Sequence, residues 1–403
     1  RGLDNSVYYI VDPESGDYAN YSGCGNTVNC NHPVVRDFII DALCYWVTEM
    51  HVDGFRFDLA SILGRGSDGE VLTNPPLLER IAGNPLLANT KLIAEAWDAA
   101  GLYQVGSFPN FGRWAEWNGK FRDDIRRFVR GDKGMVPILA TRLSGSSDLY
   151  QDDGRAPYHS INFVTSHDGF TLADLVSYEV KHNEANGEYG ADGDNNNFSA
   201  NHGVEGPSSD PAICSLRAQQ LRNFATLLIL AHGVPMLLSG DEMGRSQKGN
   251  NNSWCQDNEL GWLNWGDLEQ NRDLHQFFSD LIAFRKSHAL LRPRHFEGDE
   301  TGQRRLAWHG TRLGEIDWSA KASSLGMHLQ GYSDEVEIYL IAHAAEDAAD
   351  FALPTSNQQT PWRRFVDTAL SAEQASCVPG EESEIEDQQF YRVQGRSVVV
   401  LRR

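Results

Sequence analysis

The sequence contains no run near the roughly 20 apolar residues that a membrane span needs. Its first residues, Arg1-Gly2-Leu3-Asp4-Asn5, hold neither an initiator Met nor an apolar signal core. They read as a cut inside a longer protein, so the missing signal says nothing about destination. Positive charge is scarce: 35 Lys and Arg stand against 56 Asp and Glu, a net charge of −21. That balance argues against nucleic acid and against anionic membrane surfaces as partners. It is compatible with a neutral substrate, and it serves solubility in any case. Cysteine is sparse, at positions 24, 30, 44, 214, 255 and 377, with no C-x-x-C pair. Free thiols in a reducing compartment are expected, with Cys24 and Cys30 the pair spaced for a loop disulfide. No Gly-rich phosphate loop follows any candidate strand, which weighs against an open doubly wound α/β sheet as the alternative to a β/α barrel.

What is present is a large globular chain. Its 403 residues, 40% of them hydrophobic, suffice for one large domain and a smaller one. Pro33 opens a helix in which Val34, Val35, Phe38, Ile39, Leu43, Trp46, Val47 and Met50 recur at helical spacing. A strand ending at Asp58 follows. Further strands are expected at Lys91-Leu92-Ile93-Ala94-Glu95, Ile161-Asn162-Phe163-Val164-Thr165 and Val234-Pro235-Met236-Leu237-Leu238. Helices are expected near 117–130, 214–231 and 271–288. Strands alternating with helices imply a parallel α/β sheet with right-handed crossovers. All four strands run into acidic residues, and in a β/α barrel those ends share the catalytic face. After about residue 291 short alternating segments appear, at Arg305–Trp308, Glu337–Ala342 and Ser397–Leu401. They suggest an antiparallel β-domain, with the acidic, Gln-rich stretches 344–361 and 371–389 as surface loops. The expected division is therefore 1–290 and 291–403.

The segment Val52-Asp53-Gly54-Phe55-Arg56-Phe57-Asp58 carries the most chemistry. Period-2 alternation puts Arg56 and Asp58 on one face, Phe55 and Phe57 on the other. A guanidinium beside a carboxylate keeps it ionised and oriented, as a glycosidase nucleophile must be. A structural Arg–Asp pair is the plain alternative. Retaining glycosidases need a second carboxyl roughly 5–5.5 Å away that starts protonated. Glu95 ends an apolar strand beside Trp97, where partial desolvation would raise its pKa. Asp168 supplies a third carboxylate, able to stabilise positive charge on a sugar, and His167 a donor for a hydroxyl. A capping role for His167-Asp168, before a helix starting near Thr171, is the alternative there. Trp97, Trp114, Trp117 and Tyr158 offer faces for sugar rings, and Trp97 and Trp117 sit nearest the motifs. Asp192-Gly193-Asp194-Asn195-Asn196-Asn197 has oxygen ligands for calcium but lacks EF-hand spacing, so it reads as a solvated loop and no metal is expected.

Three of these motifs, Gly54–Asp58, Ile93-Ala94-Glu95-Ala96-Trp97-Asp98 and Phe163–Asp168, resemble in order the second, third and fourth conserved regions of the α-amylase superfamily, glycoside hydrolase family 13. The resemblance implies Asp58 as nucleophile, Glu95 as acid/base and Asp168 as transition-state stabiliser, with Arg56 and His167 at supporting positions. Asn20–Pro33, Trp46–Gly54, Glu116–Asp123, Lys181–Glu188 and Gly249–Ser253 are similar to the isoamylase-type debranching enzymes. Ser144–Tyr150 and the short Asp58–Glu95 spacing look most like the plant and algal isoamylase 3 type. Cys255-Gln256 departs from that pattern. The resemblance spans about 1–290 and implies hydrolysis of α-1,6 branch points in starch or glycogen. It further implies a plastid in a plant or alga, cytoplasm otherwise, and homo- or hetero-oligomers with other isoamylases as a compatible assembly. A silent glucan-binding or scaffold subunit and an α-1,4-acting amylase or transglycosylase are the competing readings.

The superfamily's first conserved region, Asp-x-x-x-x-Asn-His, is not found ahead of Asp58, and residues 1–51 leave no room for three βα units. The expected fold is thus a (β/α)8 TIM-type barrel, N-terminally truncated to about strands four to eight, followed by a C-terminal antiparallel β-sandwich. Such an open barrel is expected to be poorly stable and nearly inactive as an isolated polypeptide.

Overall fold

Alternating strand and helix build the first part of the chain in the computed structural model, which describes residues 2–296, 306–331, 336–355 and 360–403. The residues fall into two compact units, Arg1–Gly119 with Asp148–Ile161, and Lys120–Ser147 with Asn162–Arg403.

In the first unit, helix α1 (Pro33–Thr48) begins with Pro at its first turn, and His32 Nδ1 accepts from the Val34 amide. Strands β1 (Gly54–Phe57), β2 (Lys91–Ala94) and β3 (Trp114–Asn118) pair in parallel, with Phe57 opposite Ala94 and Ala94 opposite Glu116. A Cβ at Gly54 would stand 2.8 Å from that of Lys91, so only glycine fits there. Strand β1 is half-buried along its whole length, on its aromatic face as well as its polar one. The sequence reading missed β3 and ran a helix through Trp117. The helix, α2 (Gly119–Arg130), starts only after Asn118. Strand β4 (Ser160–Asn162) begins in this unit, where Asn118 Nδ2 donates to Ser160 Oγ. It ends in the second, where the Asn162 carbonyl accepts from the Met236 amide beside β5 (Val234–Pro235). Among the described residues the parallel strands do not close into a barrel.

The second unit carries α3 (Val136–Leu143), the short α4 (Leu172–Leu175), α5 (Pro211–Leu230) and α6 (Arg272–Ser287). Asp210 caps α5 by accepting from the amides of Ala212 and Ile213. At the other end, Arg285 from α6 donates to the carbonyls of Ile229 and Ala231, which the helix cannot satisfy itself. The C-terminal strands are β6 (Leu306–His309), β7 (Ser324–Leu329), β8 (Ile338–His343), β9 (Ala349–Ala352), β10 (Arg363–Asp367), β11 (Ser383–Glu384), β12 (Phe390–Val393) and β13 (Ser397–Arg402). Six form an antiparallel sheet in the order β11-β10-β13-β8-β7-β6, while β9 and β12 pair separately. The acidic stretches read as loops therefore contain β9 and β11. The expected strand at Arg305 starts at Leu306, Arg305 and residues 356–359 lying outside the described residues.

Period 2 explains why this sheet is buried on both faces. Ile338, Leu340, Val398 and Val400 join one core with Phe224, Phe277 and Phe284 of α5 and α6, and Phe284 stacks on Phe365 at 3.9 Å. Tyr339, Ile341, Val399 and Leu401 face the other way, onto Phe351 of β9 and Val393 of β12. All six cysteines are free thiols, so no bridge joins Cys24 to Cys30.

Two stability outcomes follow from buried charges. Burial raises the Glu337 carboxyl, but bonds with His328 (2.8 Å) and Arg403 (2.7 Å) outweigh it and hold the group at about 2. A carboxyl depressed in the folded state stabilises above its unfolded value, and that contribution is lost as pH falls through the folded one. The chain should therefore lose stability from pH 4.5 down to about 2. Glu337→Gln should flatten part of that slope in acid melts, and an unchanged slope would refute the assignment. In the first unit, Arg155 pairs with Glu116, both side chains fully buried. Arg155→Met leaves Glu116 unpaired and should cost about 3–5 kcal/mol in denaturant unfolding, with Glu116→Gln in the same chain recovering part. A loss under about 1 kcal/mol, the surface-pair range, would show the pair to be dispensable.

Candidate active site

Strand β1 divides its side chains as period 2 demands. Phe57 packs on Trp114 with ring centroids 4.7 Å apart, and Phe55 lies 6.1 Å from Phe57. Arg56 and Asp58 take the opposite face, where Arg56 Nη1 donates to Asp58 Oδ1 at 2.9 Å. Asp58 is open to solvent, its side chain 73% exposed.

The adjoining strand end brings in Glu95. Its amide donates to the Phe57 carbonyl at 3.1 Å, extending the ladder by one step. Glu95 is 1% exposed. Its Oε2 accepts from the Leu59 amide at 2.7 Å, and its carbonyl accepts from the Ala60 amide at 2.8 Å. Leu59 adopts a left-handed conformation (φ +41°) to make this turn. Arg56 Nη2 lies 2.6 Å from Glu95 Oε1, a close charge contact without the alignment of a hydrogen bond. One guanidinium thus touches both carboxylates, and its carbon sits 4.2 Å over the Trp117 ring.

Supporting groups in the first unit are long-range. Trp97 stacks on Tyr103 at 6.0 Å, 10° from parallel. Beyond it, Asp98 accepts from Arg65 at 2.6 and 3.0 Å and from the amides of Ala100 and Leu102. Arg65 in turn lies 3.7 Å over the Tyr21 ring, which ties the Asn20–Pro33 segment to the Glu95–Asp98 turn. Trp114 is wholly buried against Phe57 and Phe108, so it is a core residue and offers no face to a ligand. Tyr158 is exposed and tilts onto His159 at 4.4 Å.

His167 and Asp168 belong to the second unit. His167 Nε2 lies 3.4 Å from Asp168 Oδ2, both side chains more than half exposed. Neither caps α4: that role is Thr171's, whose Oγ1 accepts from the Asp174 amide. The segment before them is anchored by buried Arg126, which donates twice to the Val164 carbonyl and once to that of Asn197. In the Asp192–Asn197 loop, the Lys181 ammonium donates to the carbonyls of Asp192 (2.7 Å) and Gly193 (3.0 Å). Arg56, Asp58, Glu95 and Trp117 are thus one connected group, and His167 with Asp168 another. The Arg65–Asp98, Arg126–Asn197 and Arg155–Glu116 bonds had no local signal in the sequence, since they span 33, 71 and 39 residues.

The chain is similar to known proteins. A family model, Isoamylase, C-terminal, matches residues 303–402. Isoamylase 3, chloroplastic, of Oryza sativa subsp. japonica is 50% identical over 375 residues, covering 92% of this chain and 47% of that protein. A glycogen debranching enzyme of Erwinia tasmaniensis is 45% identical over 357 residues, covering 88% of this chain and 52% of its own length. The chain therefore spans about half the length of these relatives. The pullulanase of Bacillus acidopullulyticus shares the fold, with a TM-score of 0.72 and 24% identity over 98% of this chain and 43% of its own. Residues 303–402 thus match the Isoamylase, C-terminal family, and over 92% of its length the chain is similar to a chloroplastic isoamylase.

Proposed function

We propose that the protein is a retaining glycoside hydrolase that opens α-1,6-glucosidic branch points in starch- or glycogen-type α-glucans. One observation carries the reading: Asp58 and Glu95 end neighbouring parallel strands and share the Arg56 guanidinium. Asp58, exposed and oriented by Arg56, attacks the anomeric carbon as the bond from that carbon to the branch oxygen breaks. Glu95 gives its proton to that oxygen. As a carboxylate it then takes a proton from the water that releases the sugar from Asp58. Arg56 and the Leu59 amide both favour the Glu95 anion, so a proton on Glu95 requires one of them to yield. The incoming branch oxygen can replace the Arg56 contact. Asp168 stabilises positive charge on the sugar, His167 binds a hydroxyl, and Trp97 and Trp117 supply the stacking faces.

In this reading residues 1–290 supply about strands four to eight of a (β/α)8 barrel, and 291–403 a C-terminal β-sandwich. The partner is a branched α-glucan, and two-carboxylate chemistry needs no cofactor. Homo- or hetero-oligomers with other isoamylase chains fit the reading. The location is the plastid stroma in a plant or alga and the cytoplasm otherwise.

The test is full-length protein on a branched glucan. Wild type should release linear chains and deepen iodine staining. Asp58→Asn should lose at least about a thousandfold in kcat, as removal of a nucleophile does. Full activity in Asp58→Asn sinks the nucleophile. Fading iodine colour with short products would assign α-1,4 cleavage instead, and a wild type without hydrolysis would leave a glucan-binding subunit.

A further inference from the structure

We propose that Asp241 is a positioning residue for Asp168, acting by closing the Thr165–Leu172 segment that carries it. The proposal rests on the reading of Asp168 as the carboxylate that stabilises the sugar's positive charge. Such a group works only if its place is fixed before the charge develops. Asp168's own side chain supplies little of that. It is 66% exposed and lies 3.4 Å from its chain neighbour His167. The backbone of its loop is held in its own right.

Asp241 grips both ends of that backbone segment. One oxygen accepts from the Thr165 hydroxyl and the other from the Leu172 amide at 2.9 Å. Thr165 lies three positions before Asp168, and Leu172 four positions after it. The carboxylate's two oxygens thus tie the loop shut at its base. Asp241 is 2% exposed, and Val164, Phe170 and Leu172 around the clasp belong to the apolar core. Burial pushes its carboxyl up to about 7. Holding a carboxylate there is costly, and an apolar residue would serve packing alone better.

A second bond fixes the middle of the loop. The Gly169 amide donates to the Asn251 carbonyl at 2.8 Å, and Gly169 takes φ +130°, which suits glycine. Asn251 is itself held. Its amide donates to Asn183 Oδ1, and its side chain donates to the Asp194 carbonyl and Asn197 Oδ1. Buried Asp174 accepts from Ser246 and from the Gln247 amide, which anchors the loop that presents Asn251. The Asn250-Asn251-Asn252 run is thus the outer stay of the Asp168 loop, and Asp241 its base.

The experiment uses full-length protein with Thr165→Val, Thr165→Ser, Asp241→Asn and Asp168→Ala, each checked for folding by thermal melt. A displacement on the order of 1 Å costs up to about 100-fold, so Thr165→Val and Asp241→Asn should lower kcat roughly 10- to 100-fold. KM should stay within about threefold, because the lost interaction belongs to the transition state. Thr165→Ser keeps the hydroxyl and should recover kcat to within about threefold of wild type. In an Asp168→Ala background Thr165→Val should cost less than about twofold, because the group it positions is gone. A folded Thr165→Val protein with wild-type kcat overturns the proposal, and so does an equal loss with and without Asp168. Should Asp241→Asn fail to fold, the two Thr165 variants decide alone. Full activity in Asp168→Ala is a different failure: it removes the role of Asp168 itself.

Discussion

Two carboxylates placed side by side repel, and Arg56 is what lets Asp58 and Glu95 stand together. The arrangement depends on the register of two strands. Phe57 lies opposite Ala94, so the next residues on each strand bring their acids to the same level. A shift of one residue would turn Arg56 onto the apolar face now held by Phe57 and Trp114. The aromatic packing on one side of β1 and the ion pairs on the other therefore fix the same register independently. That agreement between packing and electrostatics makes four residues of strand sufficient to define the centre.

The two carboxylates nonetheless have different surroundings. Asp58 reaches into solvent with one guanidinium contact, while Glu95 is sunk beneath the surface and held on both oxygens. Different environments are how one site assigns different tasks to two like groups. The same contrast recurs in the second unit, where exposed Asp168 rides on a loop tied down by buried Asp241. In both places a buried acid accepts a main-chain amide from the segment that carries or follows an outward carboxylate.

This contrast sets what was legible in the sequence. Gly54–Asp58 could be read because alternation is local and the strand has one apolar face. The helix at Pro33 could be read because Pro and a 3.6-residue repeat mark it, whereas the helix expected near 214 starts at Pro211, behind the Asp210 cap. Strand β3 was hidden because Trp114-Ala115-Glu116-Trp117-Asn118 runs straight into a helix, without a turn residue to separate them. Strands β9 and β11 were hidden because they are short and lie in acidic surroundings, where tertiary pairing overrides composition. Asp241 was visible as a strand-end acid, but its partners Thr165 and Leu172 lie 76 and 69 residues away. No local pattern encodes such a bond, so the candidate site residues were easier to find than the buried residues bonded to their segments.

The distribution of charge joins these points. Arg126, Arg217, Arg222 and Arg285 are buried and spend their donors on main-chain carbonyls. Arg65, Arg142 and Arg155 are buried against acids. A guanidinium suits this use because its five donors lie in one plane and its charge is never lost. Cations drawn inward to hold loops and helix ends are not available to offset surface acids. A chain of net charge −21 therefore presents an outer surface dominated by carboxylates. Such a surface repels polyanions and leaves a neutral polymer unaffected. The same use of arginine that stabilises the loops thus also narrows the class of molecule that can approach Asp58.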